Sequence, residues 1–523
     1  MLNRRIKILC GVALTAVLAA LCSCASIPEQ TDLQSEPGKG QFVLYLNGPD
    51  KTFQDLTFEI KGISIESEGG GSFPVRSAPA VINSRAIAGR QMMLGQINLP
   101  GGKYARLRIT LGSAKIRTGN VTADLSKPRE QIDVPIDLRV KPEEASSIFL
   151  VWEPDSSIRN KIMFIPSLEP RIGSMGLPAL TFFVSNEGSG NISVINRNTN
   201  KVVDVLAAGI RPKGLATSLR QGQFKLYVAN YGSNSVSFID PVARKLDREV
   251  LIKYGQGPYD LAIAETRDER EVLFTANCDS NNVSVIDVMS GRETDKVDVG
   301  NGPVAIVADP PVSQFDNSRF ISSGDLNTLR QYRQAFFNVY VADSRSQDIS
   351  VIKVDAATGG VEGVTKIPVE TTPVAISVDA QRANIYVVGH DSQYISVLNM
   401  VDLIKGDTTA GRIGNFGLSN SGVLADPSLN RLYVVKDFPG ELMTINTLGG
   451  LSGGTTFGSF PVWGVTPLQG LPRSPLLDQE GREIYVVNRG SGSVSVISRT
   501  TGKEEKIIPV GGKPFEIVGF AQQ

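Results

Sequence analysis

The stretch I-Y-V-V-N-R-G-S-G-S-V-S-V-I, from Ile484 to Ile497, decides the fold. Its first run combines a tyrosine with β-branched residues, its centre is rich in glycine and serine, and its second run alternates Val494, Ser495 and Val496. β-Branched and aromatic residues suit a pleated strand, and glycine suits a tight reversal. The stretch therefore predicts a β-hairpin, which by itself is only marginally stable in water.

Similar hairpins recur along the chain in seven copies. Their anchor aromatics are Phe183, Tyr227, Phe274, Tyr340, Tyr386, Tyr433 and Tyr485. Successive anchors lie 44 to 52 residues apart, except for a gap of 66 residues before the fourth. Repeats of about 40–50 residues with several strands each are typical of β-propellers, in which each sheet buries its faces against its neighbours. We predict an all-β chain with a seven-bladed propeller over residues 181–523, closed when the C-terminal strand 515–520 joins the first blade.

Each copy also contains a Gly/Pro turn and a short apolar strand, as in G-Q-G-P-Y-D-L-A-I-A (255–264). Together with L-Y-V-A-N (226–230) and S-V-S-F-I-D (235–240), these elements resemble the bacterial YVTN-type β-propeller repeat family over roughly residues 181–520. The resemblance implies a binding face formed by the loops between strands two and three and between blades. Related propellers also include lactonases and quinone-linked dehydrogenases, so the resemblance leaves an enzyme open.

The N-terminus has the pattern of an export signal. Arg4, Arg5 and Lys7 precede a short apolar run that ends in L-C-S-C at residues 21–24. A run of this length is too short for a comfortable transmembrane helix. The ending resembles a bacterial lipobox, which implies a signal peptide over residues 1–23 and a lipid on Cys24; a plain secretory signal is the alternative.

The lipobox resemblance also implies a location. The mature chain would be tied to a membrane of the cell envelope through its lipid. Ala25 follows the lipidated cysteine in place of aspartate. By the lipoprotein sorting rule this favours the outer membrane, on the periplasmic side or at the cell surface.

Before the repeats, the composition divides the chain into further segments. Residues 24–40 are polar and contain proline and glycine, which predicts a flexible tether. Residues 41–170 contain period-two patterns, such as Leu107, Ile109 and Leu111, which predict an antiparallel β-sandwich. This part is similar to an uncharacterised family of sandwich domains in bacterial lipoproteins. Residues 171–180 are predicted to link the sandwich to the propeller.

The predicted blade order places a set of charged, aromatic and thiol side chains on the candidate binding face. They are Arg211, Lys213, Lys253, Cys278, His390, Phe460, Trp463, Arg489 and Lys513. The cations form either a solvated rim or a mouth that attracts anions. The opposite face is predicted to receive the sandwich and an insertion at residues 310–336, so that the binding loops point away from the membrane.

Motifs for catalysis are sparse. His390 is the one histidine, which suffices for a Ser-His-Asp site but excludes multi-histidine metal sites; a solvated turn histidine is the alternative.

Cys278 is the one cysteine left after the signal and the lipid site, either as a reactive thiol or as a tolerated turn residue. The repeated Asn or Asp at the end of strand two is interpreted as a local contact in which the side chain bonds its own backbone in the turn; a ring of ligands is the alternative. No cofactor or metal is predicted.

The charge balance bears on partners. The chain has 53 basic and 53 acidic residues and no basic stripe, so no nucleic-acid partner is predicted. The preferred hypothesis is a non-enzymatic envelope lipoprotein whose propeller binds a protein or a glycan. The alternatives are a propeller enzyme, either lactonase-like or quinone-linked dehydrogenase-like, and a structural component of a surface layer.

Overall fold

A computed structural model describes residues 33–220, 222–316, 318–369, 371–448, 460–478 and 480–520. These residues belong to one compact unit. The predicted signal peptide, the lipid site at Cys24 and most of the tether lie outside the described residues. Within the described part of the chain, no helix is long and apolar enough to cross a membrane.

The first described region, residues 39–172, consists of short and long strands with one helical turn, α1 (Ser84–Ile87). Its strands are β1 (Lys39–Asn47), β2 (Asp55–Ser67), β3 (Ser72–Arg76), β4 (Ala80–Asn83), β5 (Gln91–Pro100), β6 (Gly102–Thr118), β7 (Val121–Asp124), β8 (Gln131–Val140), β9 (Ala145–Glu153), β10 (Ile158–Arg159), β11 (Met163–Phe164) and β12 (Ser167–Ile172). One large sheet has the order β12-β9-β1-β5, the other large sheet has the order β3-β2-β6-β7 with β4 beside β2 and β8 beside β6, and β10 pairs with β11 in a small two-stranded sheet.

The two sheets face each other across one apolar core. Phe42 and Leu44 from the first sheet, Phe58 from the second and Trp152 from β9 are all buried there. One pairing differs from the antiparallel arrangement expected from the sequence, because β1 runs parallel to β9. A parallel pair needs a long crossover, and the chain between these two strands supplies it by passing through the other sheet.

Within the described residues, the repeats fold into 28 strands. They are β13 (Thr181–Asn186), β14 (Asn191–Asn196), β15 (Lys201–Ala207), β16 (Pro212–Thr217), β17 (Leu226–Asn230), β18 (Ser235–Asp240), β19 (Lys245–Leu251), β20 (Pro258–Glu265), β21 (Glu271–Asn277), β22 (Asn282–Asp287), β23 (Arg292–Asp298), β24 (Pro303–Ala308), β25 (Phe336–Asp343), β26 (Asp348–Asp355), β27 (Val361–Pro368), β28 (Pro373–Asp379), β29 (Asn384–Gly389), β30 (Tyr394–Asn399), β31 (Gly411–Gly414), β32 (Asn420–Asp426), β33 (Arg431–Lys436), β34 (Glu441–Asn446), β35 (Val462–Pro467), β36 (Pro472–Leu477), β37 (Glu483–Asn488), β38 (Ser493–Ser498), β39 (Glu504–Pro509) and β40 (Pro514–Gly519).

These strands form seven four-stranded antiparallel sheets within the described residues. We number them sheets 1 to 7; sheet 1 has the order β40-β13-β14-β15, sheet 2 contains β16 to β19, and the following sets of four make sheets 3 to 7. The first strand of each set is innermost, and each inner strand contacts the inner strands of both neighbouring sheets, including β40 with β16 and β36. The all-β propeller prediction is confirmed, and β40 closes the ring as expected.

The recurring asparagine accounts for the close similarity in sequence between the hairpin motifs. In sheets 1, 2, 3 and 7, this side chain lies at the end of the second strand and its amide donates to side chains five and seven residues later. Asn488, for example, donates to Ser493 Oγ (3.3 Å) and Ser495 Oγ (2.7 Å), and all three residues are buried. The contact is therefore local, as interpreted from the sequence, but its partners are side chains across the turn instead of the backbone.

A glycine in the preceding loop completes this arrangement. A Cβ atom at Gly255 would lie 2.1 Å from Asn277 Nδ2, which is far inside van der Waals contact. Gly209 and Gly511 approach Asn230 and Asn186 in the same way, so in sheets 1 to 3 the loop can come close to the asparagine only because no side chain stands between them. The Gly/Pro turn and the asparagine of the repeat are thus parts of one packing unit.

The sandwich packs against the outer edge of the propeller, where sheets 7 and 1 meet. Val43 and Tyr45, on the second face of β1, and Phe149 of β9 lie in one core with Val202 of sheet 1 and Ile508 of sheet 7. Both faces of β1 are therefore buried. This accounts for its continuous apolar run, since a strand buried on both faces has no polar side to alternate with.

Polar contacts fix the same interface. The Gln91 side chain pairs with the backbone of Val202 in both directions, at 2.9 and 3.0 Å. Asp204, which is fully buried, accepts from Ser147 Oγ at 3.1 Å and forms an ion pair with Arg244 at 2.8 Å. These contacts lie along the side of the ring.

The predicted position of the sandwich on the opposite face is wrong. On the candidate binding face, Gln41 Nε2 donates to Ser189 O in the turn after β13 (2.8 Å), and Leu33 N donates to Gly188 O (2.7 Å). Residues 173–180 do run to the opposite face, where β13 begins, but the apolar second face of β1 pulls the sandwich against the side of the ring. The start of the described chain thus lies beside the candidate binding face.

The insertion at residues 310–336 lies between β24 and β25 and contains a helix, α2 (Ser323–Ala335). α2 packs on a second short helix, α3 (Met400–Ile404), which follows β30 in sheet 5. Leu329 of α2 is buried in a core shared by sheets 4 and 5, and Asp325 pairs with Lys405 at 2.7 Å. The insertion therefore packs against sheets 4 and 5, whereas the sandwich packs against sheets 7 and 1 where they adjoin.

The buried asparagine network allows a direct test. Replacing Asn488 with alanine leaves two buried serine hydroxyls without their donor, so we expect a loss of about 1–3 kcal/mol in the free energy of unfolding. Thr500→Ala, at an exposed turn of the same sheet, is the matched control and is expected to change stability by less than about 0.5 kcal/mol. Urea unfolding measures both, and equal stabilities for the two variants would contradict the structural role.

Candidate functional site

The centre of the ring is lined by one equivalent position of the seven inner strands, the residue that follows the proline or its counterpart. The residues at this position are Lys213, Tyr259, Val304, Val374, Ser421, Arg473 and Phe515. Sheets 7, 1, 2 and 3 contribute the charged and aromatic members, and sheets 4 to 6 contribute the two valines and the serine. One half of the centre is therefore cationic and aromatic, and the other half is small and apolar.

Lys213 is surrounded by aromatic rings. Its Nζ lies 4.1 Å from the ring centroid of Tyr259, 4.7 Å from that of Phe515 and 4.8 Å from that of Tyr231. An ammonium within about 6 Å of a ring face is attracted by the ring quadrupole. Burial, assisted by nearby arginines, lowers the pKa of Lys213 to about 8, although Glu187 acts in the opposite direction.

Glu187 connects three cations at the mouth of this centre. Its Oε1 accepts from Arg211 Nη2 at 2.6 Å and lies 3.6 Å from Lys213 Nζ, while its Oε2 accepts from Arg489. Glu187 is 3% exposed. Burial alone would raise the pKa of this carboxyl, but Lys213, Arg489 and Arg211 outweigh burial and lower it to about 2. One carboxylate thus balances three positive charges.

Arg473 lies in the same cluster without such a partner. Its guanidinium carbon is 3.5 Å from the ring centroid of Phe515, the ring that Lys213 also contacts. Among the described residues, no hydrogen bond or ion pair is formed by its side chain, and its Nε is buried with no acceptor. The arginine is therefore positioned by ring stacking, with its donors unused.

Two carboxylates lie deeper in the ring and join neighbouring sheets. Glu516 Oε2 accepts from the backbone N–H of Leu215 at 2.6 Å, and Asp260 Oδ2 accepts from that of Ile306 at 2.9 Å. Each contact links an inner strand to the inner strand of the next sheet. Burial raises the pKa of Asp260 to about 6 and that of Glu516 well above its usual range, although Arg473 opposes both shifts.

The structure gathers part of the predicted set of site residues. Arg211, Lys213 and Arg489 meet at Glu187, and the backbone carbonyl of Lys513 accepts from Glu187 N at 3.1 Å. Lys253 is exposed in the loop between sheets 2 and 3, where its N–H donates to Glu293 at 2.7 Å. Lys253 lies outside the cluster around Glu187.

His390 and Cys278 lie on the candidate binding face in different surroundings. His390 is about half exposed, and its Nε2 is 3.3 Å from Asp437 Oδ2. Among the described residues, no serine hydroxyl bonds to His390, so the third member of a Ser-His-Asp site is not in place there. Cys278 is buried with Arg345 Nη2 3.8 Å from its sulfur, and burial raises the pKa of its thiol, which disfavours the reactive thiolate.

Two predicted site residues lie elsewhere. Trp463 belongs to β35, the outer strand of sheet 6, where Arg431 stacks on its ring at 5.0 Å. Phe460 precedes that strand and is buried between sheets 5 and 6. The prediction that both residues lie in a loop between blades is wrong. The connection between β34 and β35 is long, so the outer strand of sheet 6 comes later in the chain than expected, and residues 468–471 form the loop to sheet 7.

Sequence reasoning missed seven members of the site, two in loops of the candidate binding face and five on the inner strands. They are Glu187, Tyr231, Tyr259, Arg473, Asp260, Phe515 and Glu516. The signal was present in the aligned repeats, since the position after the proline changes from valine to lysine, tyrosine, arginine or phenylalanine in four copies. Glu187 and Tyr231 lie in the loops after β13 and β17, where no comparable change at a repeated position indicates them.

A search of the described residues for three or more clustered His, Cys, Asp or Glu side chains that would suit a metal ion finds none. The prediction that the protein needs no metal or cofactor stays a prediction. The described side chains of the centre offer guanidinium, ammonium and aromatic groups, which are suited to holding an anion.

Comparison with known proteins finds a likeness in structure and none in sequence family. No family model and no curated protein matches the chain. A functionally unknown protein from Desulfotomaculum acetoxidans is similar in structure, with a TM-score of 0.50, 11% identity and coverage of 66% of this chain and 99% of that one. A hydrazine synthase structure from Kuenenia stuttgartiensis has a TM-score of 0.47, 17% identity and coverage of 61% and 93%. At such identities the likeness concerns the fold alone, and membership of the YVTN-type family stays a prediction.

The Glu187 cluster makes a prediction about stability. Glu187→Gln removes the charge that balances Arg211, Lys213 and Arg489, so we expect a loss of about 3–5 kcal/mol in the free energy of unfolding at pH 7. Because the folded pKa is lowered, this contribution is present above the ordinary pKa of 4.5 and is lost as the pH falls toward about 2.

Chemical unfolding across pH 2 to 7 checks this expectation. The matched control is Glu169→Gln, which removes an exposed partner of Arg171 and is expected to cost less than about 1 kcal/mol. The difference between wild type and Glu187→Gln should shrink below about pH 4.5. A difference that is independent of pH would contradict the assigned ion cluster.

Proposed function

We propose that the protein is a binding lipoprotein of the cell envelope, whose propeller takes a protein or glycan ligand at the centre of the candidate binding face. The cluster around Glu187 carries this proposal. Four cationic side chains (Arg211, Lys213, Arg473 and Arg489) lie around the mouth of the ring, and one glutamate there pairs with three of them, Arg211, Lys213 and Arg489. An uneven distribution of charge at a binding face favours an oppositely charged partner.

Binding suits these groups better than acid–base catalysis does. Glu187, whose pKa is lowered to about 2, is a weak base at neutral pH, and Asp260 and Glu516 accept backbone N–H groups that hold neighbouring sheets together. Lys213 is the observation that favours the enzyme alternative, because a pKa of about 8 suits proton transfer. Screens for lactonase and dye-linked dehydrogenase activity, with Lys213→Met as the test variant, distinguish the two functions.

Binding at this face is tested by capture from envelope extracts and on a glycan array. The double variant Arg211→Ala/Arg345→Ala removes two partly exposed cations of the candidate binding face. Lys245→Ala/Arg292→Ala is the matched control, since it removes two exposed cations where β19 and β23 begin, at the opposite face. We expect at least a tenfold loss of ligand capture in the first variant and none in the second. Equal capture by both variants, or no captured ligand, would count against the proposal.

The lipid anchor is a separate part of the proposal and rests on the L-C-S-C sequence at residues 21–24. In cells fed with an alkyne-labelled fatty acid, the wild-type protein should take up label and sediment with membranes. Cys24→Ser is expected to lose both properties, because the thioether-forming side chain is gone. Cys22→Ser, two residues earlier in the signal, is the matched control and should keep both; label on Cys24→Ser would refute the anchor.

A further inference from the structure

The arginine at the centre of the ring is held in an unusual setting. The guanidinium of Arg473 stacks on Phe515 at 3.5 Å, and within the described part of the chain its N–H groups meet no acceptor. Guanidinium groups offer five donors in a planar fork that matches the oxygens of a carboxylate or a phosphate. A stacked arginine loses little further conformational entropy when such a group binds. Arg473 is therefore prepared to bind an oxyanion.

The charges around Arg473 keep it in place without using its donors. Asp260 and Glu516 act on it at long range, and their oxygens are bound to the backbone N–H groups of Ile306 and Leu215. Glu187 is bound to Arg211, Lys213 and Arg489 and forms no ion pair with Arg473. Both oxygens of Asp260 and one oxygen of Glu516 accept backbone N–H groups, and Glu187 pairs with other cations, so among the described residues the donors of Arg473 are left available to a ligand.

The neighbours of Arg473 suit the rest of such a ligand. Lys213 contacts the same Phe515 ring and adds a second positive charge. Tyr259 lies edge to face against Phe515 at 5.2 Å and is partly exposed. Across the ring, Val304 and Val374 are partly exposed too and offer apolar surface. These surroundings fit a small molecule, or the end of a chain, that has one oxyanion for the cations and a less polar remainder for the rings and valines.

The geometry points to an oxyanion site at Arg473, with Lys213 as the second cation and the rings of Phe515 and Tyr259 as its wall, which binds a carboxylate or a phosphate of the ligand. This inference rests on the proposed binding function and names the chemical group that the site recognises. An inner-strand position, located between seven sheets, admits a small molecule or a chain end rather than a flat protein surface.

Calorimetric titration at low ionic strength tests the site with three sugar probes: glucuronate for a carboxylate, glucose 6-phosphate for a phosphate and glucose as the neutral match. Wild type is expected to bind at least one anionic probe and not glucose. Arg473→Gln should weaken that binding at least tenfold, and Arg473→Lys, which keeps the charge but loses the fork, should restore it in part. Lys253→Gln, an exposed cation of the same face outside the cluster, should bind as wild type does.

The outcomes separate this inference from the function on which it rests. Glucose binding as tight as that of the anions, unchanged binding by Arg473→Gln, or no anion binding by wild type would each overturn the oxyanion site. If captured envelope ligand is retained by Arg473→Gln and is not displaced by either anion, the binding function stands and the oxyanion site fails. If the anions bind at Arg473 but no envelope ligand is captured, the site stands and the proposed function fails. Unfolding of each variant by urea confirms that the fold is intact before titration.

Discussion

Each sheet of this propeller has two apolar faces and can bury them only against its neighbours, so the ring has to close. Closure is achieved by β40, which pairs with β13 and brings the last residues of the fold into sheet 1. The last residues of the fold contact the sheets on both sides, since Ile517 shares a core with Tyr485 of sheet 7 and Phe520 shares one with Leu215 of sheet 2. The seam of the ring is therefore a place where segments from both ends of the chain depend on one another.

The sandwich covers this seam. Its strand β1 places alternate residues in two cores, with Leu44 facing the sandwich and Tyr45 facing sheets 7 and 1. A hydrophobic interface with buried polar pairs such as Ser147 with Asp204 holds the two parts together more firmly than a flexible linker does. The arrangement brings the start of the described chain, near Leu33, to the turn that carries Glu187 and so to the edge of the candidate site.

The candidate site is a product of ring geometry. Lys213, Phe515 and Arg473 belong to three different sheets, and their side chains meet because inner strands converge at the centre. Convergence also removes water, and this changes the chemistry of ordinary side chains: the pKa of Lys213 falls and that of Asp260 rises. The unequal division of cations, rings and valines around the centre gives an otherwise repetitive fold one chemically distinct side.

The sequence by itself determined the repeat unit, the order of its strands and the closure by the last strand, because these follow from period-two alternation, turn residues and the need to bury sheet faces. It also placed Arg211, Lys213 and Arg489 on one face. Only the tertiary structure decided that these cations share Glu187, that the donors of Arg473 have no acceptor among the described residues and that Phe460 is buried. The first two facts depend on contacts between side chains far apart in the chain, and the third depends on the long connection before β35. The position of the sandwich was likewise decided by the packing of the second apolar face of β1. The run of consecutive apolar residues in β1 indicates that both faces are buried, but it does not indicate which part of the chain covers the second face.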